Sequence, residues 1–207
     1  MTGDMTGGAT GRTRFDRIVA AVPRGARVLD VGCGDGALLG RLRAERNASG
    51  FGLEIDGACV GRAVSDGLAV VQGDAEAELS GYPPGAFDVV VLSNSVQALR
   101  APVPALRQAL VIGRRVVVSF PNFGHWRVRL SLLASGRMPT SRALPAAWHE
   151  TANIHLCTVA DFSDLCAAQG WAVEAAFGVA GGRSWPLAPG PLGNLRAEEA
   201  VFVLSAG

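Results

Sequence analysis

Several features that would mark other classes of protein are missing from this sequence of 207 residues. Its 19 basic and 18 acidic residues leave a formal net charge of +1, whereas a dedicated nucleic-acid-binding protein normally carries a basic field. No apolar run approaches the roughly 18 residues that a membrane span requires, and residues 1–11 carry no apolar signal core. We therefore expect a cytoplasmic protein with no nucleic-acid or membrane partner, and we expect residues 1–12 to be disordered.

The cysteines show no pattern of a disulfide framework. Cys33, Cys59, Cys157 and Cys166 form no Cys-x-x-Cys pair and repeat no spacing. Reduced thiols are therefore expected. Because no cluster in the sequence has the spacing of metal ligands, we also expect no bound metal.

Short β-branched runs alternate with helical patterns from residue 27 onward, which predicts right-handed βαβ units on a parallel sheet within a single domain, 1–207. The predicted strands are Arg27–Val31, Phe51–Ile55, Leu68–Val71, Phe87–Leu92, Arg115–Phe120, Trp171–Phe177 and Glu199–Leu204. The predicted helices are Ala37–Arg46, Ala58–Val64, Val103–Ile112 and Val159–Gln169. Residues 181–193 are expected to form a long Gly/Pro-rich loop.

A glycine-rich turn follows the first strand and leads directly into a helix. It contains Gly32, Cys33, Gly34 and Gly36, and Asp30 stands just before it. The spacing is G-x-G-x-G and not the dinucleotide pattern G-x-G-x-x-G. Because a carboxylate there suits an ammonium group and repels a pyrophosphate, the turn favours the amino-acid end of S-adenosylmethionine over a nicotinamide dinucleotide. A tight turn without a ligand is the alternative.

Two more acids stand at the ends of the next two predicted strands. Glu54 is placed to accept both hydroxyls of a ribose, and Asp74 to accept from an adenine amine. Ile55 and Ala75 would supply apolar faces for the ring. Since parallel strands bring these ends into one crevice, the acids predict a site for S-adenosylmethionine or S-adenosylhomocysteine, in which we include Ser93. A helix cap or a solvated loop residue is the alternative for each acid taken alone.

The pattern from about Val28 to Phe120 resembles the class I S-adenosylmethionine-dependent methyltransferases. This resemblance implies an α/β, Rossmann-like fold with a seven-stranded, mostly parallel sheet, helices on both faces and an antiparallel last strand. Such enzymes usually position their acceptor after strand four, but Ser93-Asn-Ser-Val-Gln97 contains no Asn-Pro-Pro-Tyr-like motif. No G-x-S-x-G occurs either, which excludes the serine mechanism of an α/β-hydrolase in this chain. Catalytic residues therefore stay unassigned.

The strand-helix rhythm breaks over an insert, residues 121–157. Trp126, Leu130 and Leu133 are spaced to form one apolar face of a short helix. This helix is expected either to pack on the sheet edge or to act as a lid or docking element over the crevice. Each histidine of the insert is either a general base or a hydrogen-bonded loop residue. The side chains assigned to a lid or a partner surface are Phe123, His125, Trp126, Arg127, Arg129, Arg137, Trp148 and His155.

Longer motifs in and around the insert resemble the methionine-biosynthesis family called MetW. They are VSFPNFGHWRVR (118–129), GRMP (136–139) and NIHLCT (153–158), together with the glycine turn and Gly52-Leu-Glu-Ile-Asp56. The resemblance covers about Phe15 to Leu165. Two stretches depart from the family pattern: Ser95-Val-Gln-Ala98 stands in place of Thr-Leu-Gln-Ala, and residues 144–152 lack two tyrosines and a proline.

Membership would imply an accessory or regulatory subunit of a homoserine O-acyltransferase of the α/β-hydrolase fold, with the serine chemistry on that partner. Because S-adenosylmethionine is a downstream product of the same pathway, its pocket would then serve regulation. A small-molecule methyltransferase acting on its own is the main alternative. A nucleic-acid methyltransferase is disfavoured by the neutral charge.

Overall fold

The computed structural model describes residues 8–141, 144, 146–188 and 190–206, which form one mixed sheet flanked by helices. The strands are β1 (Arg27–Val31), β2 (Ser49–Glu54), β3 (Val70–Gln72), β4 (Phe87–Ser93), β5 (Gly113–Pro121), β6 (Ala172–Ala180), β7 (Arg183–Pro186) and β8 (Glu199–Ser205). The helices are α1 (Ala9–Ala21), α2 (Ala37–Arg46), α3 (Gly57–Ser65), α4 (Ala75–Glu78), α5 (Pro102–Ile112), α6 (Trp126–Ser135), α7 (Val159–Gln169) and α8 (Pro191–Arg196).

The strand order is β3-β2-β1-β4-β5-β8-β6-β7. The first five strands in sequence pair in parallel, whereas β8 runs antiparallel between β5 and β6. The predicted fold class is therefore confirmed. The order reverses between β1 and β4, and the C-terminal ends of these two strands border the crevice in which open α/β sheets bind ligands.

The sheet has one strand more than the seven expected. The additional strand, β7, arises within the predicted long loop, because Gly181 and Gly182 make a two-residue turn that pairs Ala180 with Arg183. Both glycines have positive φ, 55° and 76°, which is the geometry that a tight hairpin of this kind needs. The Gly-Gly pair in the sequence is typical of such a hairpin turn, so the expectation of a loop over all of residues 181–193 is wrong.

The N-terminal helix α1 corrects the expectation of disorder over residues 1–12. The helix begins at Ala9, so the expectation is wrong for residues 9–12, while residues 1–7 lie outside the described residues. Phe15 and Ile18 are buried against the sheet. The Arg14 guanidinium also binds the Glu199 carboxylate at 2.9 Å in a buried ion pair, which ties α1 to β8.

Alternate residues along the strands pack on opposite faces of the sheet. Val28, Val89 and Val117 meet α1 and α2 on one face. On the other face, β-strand residues pack on α5 and α7, where the Phe162 ring lies 4.8 Å from Phe120 and 4.9 Å from Phe202 between centroids. These two apolar layers fix the positions of the strands whose C-terminal ends border the crevice.

The insert leaves the domain and returns to it at one point beside Asn122. The Phe123 N–H donates to the Cys157 carbonyl at 3.1 Å, which brings the two ends of the insert together. The Asn122 side chain is almost fully buried and uses both ends of its amide, donating to two carbonyls and accepting from two N–H groups. Its partners are the Asn194 carbonyl (2.6 Å), the Ala197 carbonyl (2.7 Å), the Gly124 N–H (2.9 Å) and the Val159 N–H (3.1 Å).

Candidate cofactor crevice

The glycine turn connects β1 to α2 at the C-terminal edge of the sheet. Gly32, Gly34 and Gly36 have φ values of 74°, 57° and 81°, a region that residues with a side chain rarely adopt. A Cβ atom on Gly32 would lie 2.8 Å from the Cβ of Ser95, so the turn packs tightly against the segment after β4. A Cβ on Gly34 would meet no described atom within 4 Å. The turn is therefore open at Gly34.

Glu54 fastens this turn to the end of β2. Its Oε2 accepts the Gly34 N–H at 2.8 Å, and its Oε1 accepts the Asp56 N–H at 2.9 Å. Each carboxylate oxygen keeps a second lone pair for a further donor. The structure thus brings Glu54 to the glycine turn, as the sequence predicts, and it reveals a second role in holding the backbone there.

Asp30 lies at the base of the crevice with 1% of its surface exposed. Its Oδ1 is buried and has no hydrogen-bond partner among the described residues. Burial, with a smaller contribution from the charge of Glu54, raises the pKa of Asp30 to about 7. A cationic group brought next to this carboxyl would stabilise its ionised form.

The segment after β4 adds polar side chains that the sequence interpretation did not assign. Both polar atoms of the Asn94 and Gln97 amides, together with the Ser95 hydroxyl, are buried without a partner within the part of the chain that the structure describes. Unsatisfied buried groups of this kind each cost about 1–3 kcal/mol, so a cluster of them is typical of a site that a polar ligand or water completes. These residues follow a buried strand, next to the point where the strand order reverses. This position in the sequence could have identified them as candidate ligand-binding residues.

The remaining predicted cofactor residues lie around this core. Cys33 is buried in the turn, and Ser93 lies at the end of β4 with its hydroxyl 3.3 Å from that of Ser119. Ile55 is 67% exposed beside the crevice, and Ala75 packs against the core in the first turn of α4.

Asp74 is placed next to Glu54, because the neighbouring Gly73 N–H donates to the Glu54 carbonyl at 2.9 Å. Asp74 caps α4 by accepting the Glu76 N–H at 3.0 Å and also binds the Arg100 guanidinium at 2.6 Å. The structure therefore gives Asp74 the role of a helix cap, which was the alternative for a single acid. A contact of Asp74 with an adenine remains a prediction.

The end of the insert folds back onto the crevice. The Ile154 and His155 N–H groups both donate to the Gln97 carbonyl at 3.0 Å, and the His155 Nε2 lies 3.3 Å from the Arg100 carbonyl. Of the side chains assigned to a lid, His155 is thus next to the predicted cofactor site.

Helix α6 forms where the spacing predicts it, but it does not pack by its apolar face. Trp126, Leu130 and Leu133 are 45%, 54% and 85% exposed, and Val128 is the buried residue of the helix. Packing of this face on the sheet edge, one of the two expectations, is therefore wrong.

The other assigned lid residues are dispersed over the insert. Arg129 donates to the Gly124 carbonyl at 2.7 Å, His125 is buried, and Phe123 is half-buried. Arg137 and Trp148 are exposed. The assigned side chains therefore do not share a single surface over the crevice.

Two further kinds of feature, a metal centre and a membrane span, are not found in the described ranges. Within residues 8–141, 144, 146–188 and 190–206, no group of three or more His, Cys, Asp or Glu side chains is arranged to hold a metal ion. None of the helices in those ranges has the length and apolar character needed to cross a membrane.

Solved structures with the same architecture define the class of the fold. A Thermotoga maritima protein described as a SAM-dependent methyltransferase, possible histamine N-methyltransferase, aligns with a TM-score of 0.68 and 13% identity, covering 95% of this chain and 88% of that one. The magnesium protoporphyrin IX methyltransferase of Synechocystis, solved with bound SAH, aligns with a TM-score of 0.67 and 16% identity, covering 96% and 84%. At these identities the likeness establishes the fold, which is that of S-adenosylmethionine-dependent methyltransferases.

The family is shown by sequence. The chain belongs to the family described as "Methionine biosynthesis protein MetW", which it matches over residues 12–204. The bifunctional methionine biosynthesis protein MetXA/MetW of Rhodopirellula baltica is 31% identical over 159 residues, covering 72% of this chain and 26% of that protein. The family expected from the insert motifs is thus confirmed. The chain spans only about a quarter of the length of the bifunctional relative, 26%.

Proposed function

We propose that this chain binds S-adenosylmethionine or S-adenosylhomocysteine in the crevice and acts as an accessory, regulatory subunit of a homoserine O-acyltransferase. The main support for binding of this ligand is the buried carboxyl of Asp30, whose Oδ1 has no hydrogen-bond partner in the described part of the chain. This carboxyl lies beside the glycine turn, which is open at Gly34. The ammonium group at the amino-acid end of the ligand supplies the opposite charge that this carboxyl lacks.

The residues around Asp30 fit the rest of such a ligand. Glu54 would accept the ribose hydroxyls with its remaining lone pairs, and Ile55, exposed beside it, would cover the adenine ring. The orphaned amides of Asn94 and Gln97 would bind polar atoms near the centre of the ligand. When bound, S-adenosylmethionine supplies an electrophilic methyl group, whereas S-adenosylhomocysteine carries none.

The chemistry of the segment after β4 favours binding over methyl transfer. Asn94, Ser95 and Gln97 offer amides and a hydroxyl, which form hydrogen bonds but are poor general bases near neutral pH. His155 contacts this segment through its backbone, and its ring nitrogen lies against the Arg100 carbonyl. We therefore give the crevice a sensing role and keep the stand-alone methyltransferase as the alternative.

The partner is supported by the relative and by the surface of the insert. The name of the Rhodopirellula baltica protein joins MetXA and MetW in one polypeptide, which supports a physical partnership between these two proteins. Eight of the fourteen large apolar side chains exposed in the described residues lie between Trp126 and Leu156. Exposed apolar side chains are the kind that a partner protein covers, so we propose this segment as the contact. We call these eight residues the docking surface: Trp126, Leu130, Leu132, Leu133, Met138, Trp148, Ile154 and Leu156.

Calorimetric titration with S-adenosylhomocysteine tests the ligand part of the proposal. The wild-type chain should bind one equivalent, and Gly34→Val should bind much more weakly, because its side chain would fill the open turn in a strained backbone conformation. Gly61→Val is a matched control, since Gly61 lies in α3 with open space around it. Normal binding by Gly34→Val would show that the turn does not contact the ligand. Rapid methyl transfer to a defined metabolite by the chain alone would support the alternative function.

A further inference from the structure

A second recess lies at the C-terminal edge of the sheet, under α6 and beyond β5 from the cofactor crevice. It comprises a cavity of about 650 Å³ and an adjoining hollow of about 410 Å³. His125, Arg127, Gly181 and Glu198 line both parts. Volumes of this size match those of small-molecule sites, which span roughly 300–1,000 Å³.

Three arginines face the hollow without a carboxylate partner. Arg127, Arg183 and Arg196 come from α6, β7 and α8, and none of them forms an ion pair with a described residue. The Arg127 guanidinium is 5.2 Å from the Trp126 ring centroid, which stacks it against the indole. Stacking orients a guanidinium and leaves its N–H edge available for a bidentate acceptor such as a carboxylate.

Arg196 is held in the same way by the second indole. Its guanidinium lies 5.5 Å from the Trp185 ring centroid. Two of the three cations are therefore positioned by aromatic rings and not by acids, an arrangement that leaves a net positive hollow. Such a site favours an anionic group.

Glu198 places one negative charge in the same recess. Its Oε2 accepts the Thr10 hydroxyl at 3.2 Å and the Gly181 N–H at 3.4 Å, and its Oε1 has no partner within the described ranges. This carboxylate would repel a phosphate dianion but would attract an ammonium group. The recess therefore offers separate places for an anion and for a cation.

His125 supplies a neutral group between them. The side chain is 5% exposed, and burial lowers the pKa of its imidazole, an effect that Arg127 adds to and Glu198 opposes. No hydrogen bond of its ring to the described part of the chain is formed, while the ring lies 5.8 Å from that of Trp126 between centroids. A neutral imidazole presents one donor and one acceptor to a ligand.

We propose that this recess binds a small zwitterion of the α-amino-acid type, with the carboxylate at Arg127 and its neighbouring arginines and the ammonium at Glu198. The opposite charges of the recess match the two ends of such a molecule, and the His125 ring and the Ser131 and Thr140 side chains line the space for its polar side chain. An acidic segment of a protein would satisfy the arginines but would leave Glu198 opposed by like charge. The site is separate from the Asp30 crevice and does not depend on the proposed cofactor.

Calorimetric titration of the whole chain with L-methionine and with L-homoserine tests this proposal. The probes follow from the methionine-biosynthesis family, and both titrations are repeated in saturating S-adenosylhomocysteine. At least one amino acid should bind with one-to-one stoichiometry in both conditions. Its methyl ester, which lacks the carboxylate, and its N-acetyl derivative, which lacks the ammonium, should each bind at least tenfold more weakly.

Substitutions in the recess test where the amino acid binds. Arg127→Gln and Glu198→Gln should each weaken binding at least tenfold, whereas Arg137→Gln, an exposed arginine of the same insert, should leave it unchanged. Absence of binding by both amino acids at millimolar concentration would overturn the proposal. So would binding that S-adenosylhomocysteine abolishes, because the amino acid would then occupy the Asp30 crevice. If S-adenosylhomocysteine itself does not bind, the proposed function is contradicted, but the titration without it still tests amino-acid binding to the recess.

Discussion

Glu54 accepts the backbone N–H of Gly34 at 2.8 Å, so the carboxylate expected to bind a ribose also fixes the turn that lies beside it. A ligand that binds both therefore meets an arrangement that is already formed. We therefore expect ligand binding to depend on the contact between β2 and the glycine turn.

Glu54→Ala is expected to weaken binding of S-adenosylhomocysteine by about 1–3 kcal/mol, because it removes the ribose acceptor together with the anchor of the turn. Calorimetry gives the affinity. Glu45→Ala is the matched control, since Glu45 is an exposed acid that pairs with Arg41 four residues away on α2. Equal affinity of the Glu54 variant and wild type would remove Glu54 from the site.

Binding of the cofactor is also expected to depend on pH through Asp30. Since the pKa of this carboxyl is raised to about 7, an ammonium group must displace its proton at lower pH. The affinity should therefore rise from pH 5 to pH 7, by at most about tenfold per pH unit, and then level off. Titrations in buffers of different ionisation enthalpy should detect proton release, and Asp30→Asn should abolish both effects. A wild-type affinity that is flat over this range would contradict the assignment.

The same carboxyl makes a prediction for stability. The folded chain keeps this proton up to about pH 7. An unfolded aspartic acid releases its proton near pH 4, so this group lowers the free energy of unfolding progressively as the pH rises from about 4 to about 7. Urea unfolding of wild type and Asp30→Asn should give free energies that diverge across that interval, with the variant gaining relative stability. Parallel curves would show that Asp30 is not buried in its acid form.

Much of the fold was predictable because its signals are local. β1 and α2 have the predicted bounds, since an apolar run closed by glycines and a helix-forming stretch specify them without help from distant residues. Helix α1 was missed because its few apolar side chains are interspersed with three arginines. Its burial also depends on a groove made by β6, β7 and β8, which come much later in the chain.

The candidate site likewise combines features with a local signal in the sequence and features that depend on distant residues. Asp30 and the glycine turn follow from sequence spacing, whereas the contact of Gln97 with Ile154 and His155 joins residues more than fifty positions apart. The pattern of α6 identified an apolar face correctly, but periodicity does not say whether anything covers that face. Here Leu133 is 85% exposed.

Asn122 is expected to support stability through its four hydrogen bonds, which connect the start of the insert to α7 and to the C-terminal end of α8. Asn122→Ala would remove a partner from two carbonyls and from the Gly124 N–H, while the Val159 N–H would keep the Asn194 Oδ1 at 3.2 Å. We expect a loss of about 2–4 kcal/mol in the free energy of unfolding. Urea unfolding measures this loss. Asn153→Ala is the control within the insert, since no side-chain hydrogen bond of Asn153 to the described residues is formed. Losses of similar size in both variants would contradict the role given to Asn122.

The docking surface predicts a loss of association without a loss of folding. Leu133→Glu places a charge on the most exposed apolar residue of α6 and should weaken binding to the acyltransferase at least tenfold, while cofactor binding is unchanged. Pull-down and analytical ultracentrifugation with the purified enzyme measure this. Val111→Glu, at an exposed apolar position on α5, is the matched control. Undiminished association of Leu133→Glu would place the contact elsewhere.

The proposed accessory role is tested most directly by the homoserine O-acyltransferase activity of the partner enzyme, measured with and without this chain across a titration of S-adenosylmethionine. The chain should change the activity, and the size of this change should depend on the cofactor concentration, with the dependence lost in Asp30→Asn. An acyltransferase rate that is the same with and without the chain at every cofactor concentration would contradict the accessory role.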